Sequence, residues 1–294
     1  MGTCRFLVMT FVIGSMAVLF TGGCDSTSPT PTDVDHIRSL VMDQADIFNP
    51  NSFYLDYTPI RVENDTGTLS SPYEKRFFWR EATSTEQLIE VDIHEDRQTA
   101  DVEVIYEFEG MFHIQIEDTD STRDITKTIF DVVRQYAQAE KTDSDEYGGW
   151  QLTAISGPRL TSIILPIPID SIVVMSESVG TITITDIRDV SPYDPWLLTF
   201  VPEEPVTIRA YTQPGSVVFF HKPWMENPDD KRVLMEFIEV GEMNYYFDVN
   251  YTTPSEEGWY LAFIDVIDYS SVWDDDYSYR NRAWGIPFKV EESS

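Results

Sequence analysis

The stretch ADVEVIYEFEGMFHIQI, residues 100–116, carries the clearest structural signal in the chain. Apolar and acidic residues alternate along its first half, a period of two that is typical of a half-buried β-strand. The large side chains on one face are Val102, Val104, Tyr106 and Phe108. Gly110 interrupts the alternation, and a glycine inside a strand marks a bulge or a bend. The stretch therefore predicts one long, bent strand.

The neighbouring segments extend this strand into an antiparallel sheet. Residues 76–80 and 88–94 are rich in strand-forming side chains, and residues 95–98 have the composition of a turn. Residues 125–141 fit a helical stripe as well as a strand alternation. We predict a strand for the second half of this segment, because residues 150–155 can pair with it as a hairpin.

One helix is predicted before the sheet, over residues 33–48. Thr32 or Asp33 can cap its first turn, and the Asn-Pro-Asn sequence at residues 49–51 ends it. Its apolar residues recur at helical spacing and are Val34, Ile37, Leu40, Val41 and Ala45. A helix followed by a long, bent antiparallel sheet resembles the cone-shaped α+β fold of the nuclear-transport-factor-like and cystatin-like group. The resemblance covers residues 33–157 and implies a cone-like α+β domain.

A second domain with a different pattern is predicted after a proline-containing linker, residues 158–169. Short strands recur at even spacing through residues 170–294, which is typical of a β-sandwich. The predicted strands are 172–175, 181–187, 206–211, 216–221, 232–240, 244–250, 259–267 and 286–290. The sequence Glu257-Gly258-Trp259-Tyr260 resembles the tyrosine corner of immunoglobulin-like domains. The predicted fold class is therefore a cone-like α+β domain followed by an all-β immunoglobulin-like sandwich.

The N-terminus resembles the export signal of a bacterial lipoprotein. Arg5 precedes an apolar run over residues 6–20, and this run is shorter than the about 20 residues that a membrane-spanning helix needs. The run leads through Thr21-Gly22-Gly23 into Cys24. Thr21 departs from the family pattern, which has leucine three residues before the cysteine. Cleavage without lipid attachment and a retained helix remain the alternatives.

The resemblance implies that residues 1–24 form the signal segment, that Cys24 is acylated, and that residues 25–32 form a polar tether. Cys4, the other cysteine, would be removed with the signal, so the mature chain would contain no disulfide. The expected location is a bacterial cell envelope, where the lipid anchor attaches the chain to a membrane. The sequence leaves open which leaflet is used.

The charge balance restricts the partners. The chain has 51 acidic and 20 basic residues and a formal net charge of −31, with the acids spread over both halves. Nucleic acid is excluded as a partner, because binding to its backbone requires Lys and Arg to displace counterions. Adhesion to anionic lipid headgroups is disfavoured for the same reason. The acidity fits cation binding or steering of cationic partners, but solubility alone also explains it.

Motifs for catalysis are weak. The segment 143–148 begins like a calcium loop, but Ala154 stands where the chelating glutamate should be, and the segment 118–122 fails similarly. The four histidines are too scattered for a metal site. In the cone-like fold some side chains could line an enzyme pocket, although packing explains them as well. These are Tyr54, Asp56, Tyr57 and His113. We predict no catalytic residue, metal or cofactor.

The best local candidate for binding is an aromatic and acidic segment in a loop between the last two predicted strands. Its residues are Trp273, Asp274, Asp275, Asp276, Tyr277, Tyr279 and Arg280. Aromatic rings beside Arg and carboxylates can serve a protein contact, a sugar platform or a cation. A solvated loop attached through Trp273 and Trp284 is the competing interpretation.

Together these features predict an envelope lipoprotein that acts as a non-catalytic binding or scaffold module for an unknown protein or glycan ligand. One alternative is a small-molecule-binding protein or enzyme that uses a pocket in the cone-like domain. The other is a carbohydrate-binding surface protein. A deep cavity with converging ionisable groups would favour the enzyme.

Replacing Cys24 by serine should abolish incorporation of labelled palmitate, because the thiol is the expected attachment point. Ser26→Ala is the matched control and should be labelled like the wild type. Envelope fractionation should then show the Cys24→Ser protein released from the membrane. An unlabelled wild-type protein in the culture medium would contradict the anchor.

Overall fold

Strands predominate in the computed structural model. It describes residues 32–44, 53, 60–63, 75–118, 121–163, 167–187, 198–225, 227–240 and 245–292. The N-terminal strands are β1 (Ile60–Glu63), β2 (Lys75–Ile93), β3 (Thr99–Asp118), β4 (Ser121–Lys141), β5 (Trp150–Ile155), β6 (Arg159–Ser162), β7 (Ile169–Ser176) and β8 (Gly180–Ile184). The C-terminal strands are β9 (Thr199–Phe200), β10 (Pro205–Thr212), β11 (Ser216–His221), β12 (Arg232–Leu234), β13 (Glu236–Glu239), β14 (Tyr245–Thr252), β15 (Gly258–Asp268) and β16 (Asn281–Val290). The helices are α1 (Asp33–Asp43), a 3₁₀ turn (Glu146–Gly149), α2 (Pro228–Lys231) and α3 (Tyr269–Trp273).

These strands form two sheets. In the described part of the chain the larger sheet has eleven strands in the order β1-β2-β3-β4-β6-β16-β15-β11-β12, with β5 paired to β4 and β9 to β16. The smaller sheet has five strands in the order β13-β14-β10-β7-β8. All pairings are antiparallel except the short contact of β9 with β16. Residues 32–294 form one compact unit.

Three long strands, β2, β3 and β4, build one side of the larger sheet. The predicted bulge near Gly110 is present, but the extra residue, Thr83, lies on the partner strand β2, where the register shifts between Ala82 and Ser84. A Cβ at Gly110 would lie 2.0 Å from the carbonyl oxygen of Glu81. The glycine is therefore required so that the two backbones can approach each other at the bulge.

The larger sheet curls, so that strands distant in its order contact each other through side chains. The ring of Phe78 on β2 lies 5.5 Å from that of Phe219 on β11. Helix α1 packs its buried Ile37, Leu40 and Val41 on the inner face of the curl. The smaller sheet covers the other face of β11, β15 and β16, and the two sheets share an apolar core.

The predicted fold class, a cone-like α+β domain plus an immunoglobulin-like sandwich, is wrong. The protein is mostly β, with two antiparallel sheets, and α1 is the one helix of seven or more residues in the described ranges. Strands downstream of residue 169 do pack as two sheets, but one of these sheets continues through β6 into β4. Strand β6 lies inside the predicted linker. It has four residues in a stretch flanked by prolines, and an alternation of apolar and polar residues cannot be recognised over so short a length.

Several local predictions are confirmed. The predicted start of helix α1 is confirmed by a capping box, in which the Thr32 hydroxyl accepts from the amide of Asp35. The helix ends at Asp43, before the predicted end at residue 48, and residues 45–48 lie outside the described part of the chain. The ambiguous segment is a strand throughout, and β5 pairs with it as predicted. The hydroxyl of Tyr260 donates to the carbonyl oxygen of Glu256 at 2.9 Å, the bond expected of a tyrosine corner.

Gly110→Ala should destabilise the protein by about 2 kcal/mol, because the added methyl group forces the backbone of β2 to move. Glu109→Ala is a suitable control, since Glu109 is exposed on the same strand. Its free energy of unfolding should change by less than about 0.5 kcal/mol. Urea denaturation monitored by tryptophan fluorescence measures both. Equal stability of the two variants would contradict the close approach.

Candidate functional site

The predicted binding segment lies in the connection between β15 and β16. Asp268 caps α3 by accepting from the amide of Ser270, and α3 ends at Trp273. Residues 274–280 then return to β16. The structure brings the predicted residues together along one connection, but it also packs that connection against β2 and β4.

Three cations attach α3 and the turn that follows it to the long strands. Arg76 on β2 donates to the carbonyl oxygen of Val272 and forms an ion pair with Asp275 at 3.2 Å. Arg123 on β4 pairs with the other carboxylate oxygen of Asp275. The ammonium group of Lys127 donates to the carbonyl oxygens of Ser271 at 2.8 Å and Asp274 at 2.6 Å. These contacts hold α3 and the following turn against β2 and β4.

The aromatic side chains of the segment have different environments. Tyr279 is buried and belongs to the core cluster with Phe112, whose ring lies 4.9 Å away. Arg280 pairs with Asp268 at 2.9 Å and donates to the hydroxyl of Tyr277 at 2.6 Å. Trp273 lies beneath the guanidinium of Arg76 at 4.9 Å. Contacts within the protein therefore involve most of the segment.

Asp274 and Asp276 are the exposed acids of this segment. The carboxylate of Asp274 accepts from the amide of Asp276 at 3.0 Å and so stabilises the turn. A binding role for the segment remains a prediction, and the packing adds a structural role that the sequence did not indicate for Tyr279.

A buried polar network lies beside this segment, and sequence reasoning missed it. Arg80 on β2 makes a bidentate ion pair with Asp265 on β15, with distances of 2.9 and 3.0 Å. The two residues are 1% and 0% exposed, which places both charges out of reach of water. The Nε of Arg80 donates to the Tyr279 hydroxyl at 2.7 Å, and Asn281 donates to Asp265. The network is therefore a paired and hydrogen-bonded charge cluster inside the curl.

A second carboxylate extends the network. Asp131 on β4 accepts from the hydroxyl of Ser162 at 2.8 Å and lies 3.5 Å from the hydroxyl of Tyr279. Burial alone would lower the pKa of Arg80, but the carboxylate of Asp265 outweighs burial and raises that pKa. Burial raises the pKa of Tyr279 well above its usual value. Arg80 is therefore charged and Tyr279 protonated at neutral pH.

One sequence signal could have found this network. Arg80 is in phase with Phe78, and Asp131 is in phase with Ile129 and Val133, so each charge occupies an inward position of an apolar strand. Asp265 interrupts an otherwise apolar run in β15 in the same way. A charge at a core position needs a partner, but the sequence does not say which strand provides it.

The other predicted site residues are dispersed. The Nε2 of His113 lies 2.9 Å from a carboxylate oxygen of Glu81, and its ring stacks on Trp79. Tyr54, Asp56 and Tyr57 lie outside the described residues, as do Cys24 and the proposed tether up to residue 31. The calcium-like segment 143–148 packs on α1, where the hydroxyl of Tyr147 donates to Asp43 at 2.6 Å.

The interior of the curl is occupied by side chains, as the core clusters around Val104 and Phe112 show. A depression lies elsewhere, at the start of α1, and is lined by Thr32, Asp33 and His94, among others. In the ranges that the structure describes, no group of three or more His, Cys, Asp or Glu side chains is arranged to hold a metal ion. No helix there is long and apolar enough to span a membrane.

Comparison with known proteins gave no match to a family model, to a curated protein or to a solved structure.

Arg80→Met should destabilise the protein by about 3–5 kcal/mol, because it leaves the carboxylate of Asp265 buried without its countercharge. Arg209→Met is the matched control, since Arg209 makes the same bidentate contact with Asp248 at 3.0 Å on a partly exposed surface. That substitution should cost about 1 kcal/mol or less. Guanidinium denaturation measures both, and a similar cost for the two would contradict the role of burial.

Proposed function

We propose that the chain is a lipid-anchored protein of a bacterial envelope that binds a partner protein, and that the partner adds an extended segment to the edge strand β13. The observation that supports this most directly is the exposure of apolar side chains on the segment 234–240. Leu234, Phe237 and Val240 are 50%, 51% and 50% exposed.

The segment 234–240 lies where an edge of the larger sheet meets an edge of the smaller sheet. Strand β12 ends the larger sheet, and the amide of the buried Met235 donates to the carbonyl oxygen of Val218 at 2.9 Å. The chain then passes into β13, which ends the smaller sheet. Within the described ranges β13 pairs with β14 alone, and its other side carries backbone groups that a further strand could use.

Aromatic rings extend the apolar surface inward from the edge. The ring of Phe237 lies 5.4 Å from that of the buried Phe247 and stacks on Tyr245 at 6.0 Å. An added strand would place every second side chain over Phe237 and its neighbours, while its backbone bonds to β13. Strand addition with side-chain pockets is an established way to recognise extended peptides.

The charge of this edge indicates the chemistry of the partner. Glu236 and Glu239 are both exposed on β13, and the chain has a formal net charge of −31. Like charges directly opposite each other on paired strands are destabilising, whereas opposite charges stabilise the pair. We therefore expect a partner segment in which Lys or Arg alternates with apolar residues.

A photo-crosslinking amino acid at position 237 should capture the partner in the native envelope. Mass spectrometry of the adduct should identify an extended segment with basic and apolar residues. Position 163 is the control site, because Ile163 is 63% exposed on a different part of the larger sheet. Equal crosslinking from both positions, or an adduct with a helical or acidic segment, would contradict the proposal.

The affinity of the protein for the captured segment is then measured with a synthetic peptide of that sequence. Phe237→Ser should weaken its binding at least tenfold, whereas Ile163→Ser should change the dissociation constant by less than twofold. Unchanged thermal unfolding of both variants would show that the loss comes from the contact and not from misfolding.

A further inference from the structure

Hydrogen-bond donors gather on one face of the neighbouring strands β6 and β16. Arg282 is paired with Thr161, and Trp284 is paired with Arg159. Paired residues of antiparallel strands point to the same side, and so do residues two apart along one strand. All four side chains therefore project from the same face, at the margin of the core between the sheets, to which Trp284 belongs.

This group contains donors without matching acceptors. The Nε of Arg282 and the Nε1 of Trp284 are enclosed and make no hydrogen bond within the described structure. The arginine ion pairs of the described residues include neither Arg159 nor Arg282. Six other arginines in the described ranges differ, because each of them pairs with a carboxylate: Arg76, Arg80, Arg123, Arg134, Arg209 and Arg280.

The composition of the chain makes the lack of ion pairs at Arg159 and Arg282 informative. The chain has 51 acidic and 20 basic residues, so an arginine placed at random would have a carboxylate nearby. Burial, and then the like charge of Arg159, lowers the pKa of Arg282. Two partly buried positive charges side by side destabilise the fold unless an anion offsets them.

We propose that Arg159 and Arg282 form a binding site for an oxyanion, either a phosphate or a carboxylate group of a small ligand. The guanidinium Nη groups of Arg282 are not enclosed, and a planar guanidinium binds such groups in a bidentate manner. Thr161, the register partner of Arg282, contributes a hydroxyl on the same face as a further donor. The site is independent of the partner proposed at β13.

Thermal unfolding of the full chain tests the site. Sodium phosphate or sodium succinate should raise the melting temperature beyond the effect of sodium chloride at equal ionic strength, because a ligand that binds the folded state stabilises it. A response to phosphate alone assigns a phosphoryl ligand, and a response to both assigns oxyanions generally. Either response supports the proposal if Arg282→Gln removes it, because phosphate also stabilises folded proteins generally through exclusion from their surface. Equal melting temperatures in all three salts would overturn it.

Variants of the two arginines test whether they bind the anion. Arg282→Gln and Arg159→Gln should each weaken binding of the active anion at least tenfold by calorimetry. Arg97→Gln is the matched control, since Arg97 is exposed in the turn between β2 and β3. Without added anion, Arg282→Gln should melt at the same temperature as the wild type or higher, because it removes a like-charge contact. A large decrease, or full retention of anion binding in both variants, would show that these arginines are purely structural.

Discussion

The ion pair between Arg80 and Asp265 joins strands that the order of the larger sheet keeps apart. Strands β3, β4, β6 and β16 lie between β2 and β15 in that order, so no main-chain hydrogen bond links the two partners. The sheet must curl for the two charges to meet. Once they are buried, separation of the pair would leave a charge in an apolar interior, which is strongly unfavourable. The pair therefore fixes the curvature on which the rest of the architecture depends.

The connection between β15 and β16 gains its position from the same curl. Tyr279 reaches into the network, and the buried Arg76 and Lys127 hold the flanking turn from the same inward faces of β2 and β4 that carry Arg80 and Asp131. Asn281 and Arg282 are consecutive on β16 and point to opposite faces of the sheet. Asn281 takes part in the buried network, whereas Arg282 belongs to the group of donors beside β6. A single strand thus couples the charged interior of the curl to the surface where we infer anion binding.

Local signals in the sequence predicted local structure. The capping residue Thr32, the alternation of 100–116 and the hydroxyl bond of Tyr260 each depend on residues close in the chain, and all are present. Pairing between distant segments could not be predicted. Strand β6 is too short to be recognised alone, and the inward positions of Arg80 and Asp131 did not identify their partners. Residues 232–240, predicted as one strand, divide at the buried Met235 between two sheets. The fold class was wrong because it assumed that each half completes its own core.

The partners of the central ion pair are 185 residues apart in sequence. Contacts of such long range form late, because the entropy of closing the intervening chain must be overcome first. While the polypeptide is being made, the β2–β4 meander can assemble from neighbouring segments, but its arginine has no counterion until β15 has emerged. The buried ion pair can therefore form only after most of the chain has been synthesised. A nascent or truncated chain that lacks β15 would expose an incomplete sheet, which is prone to aggregation.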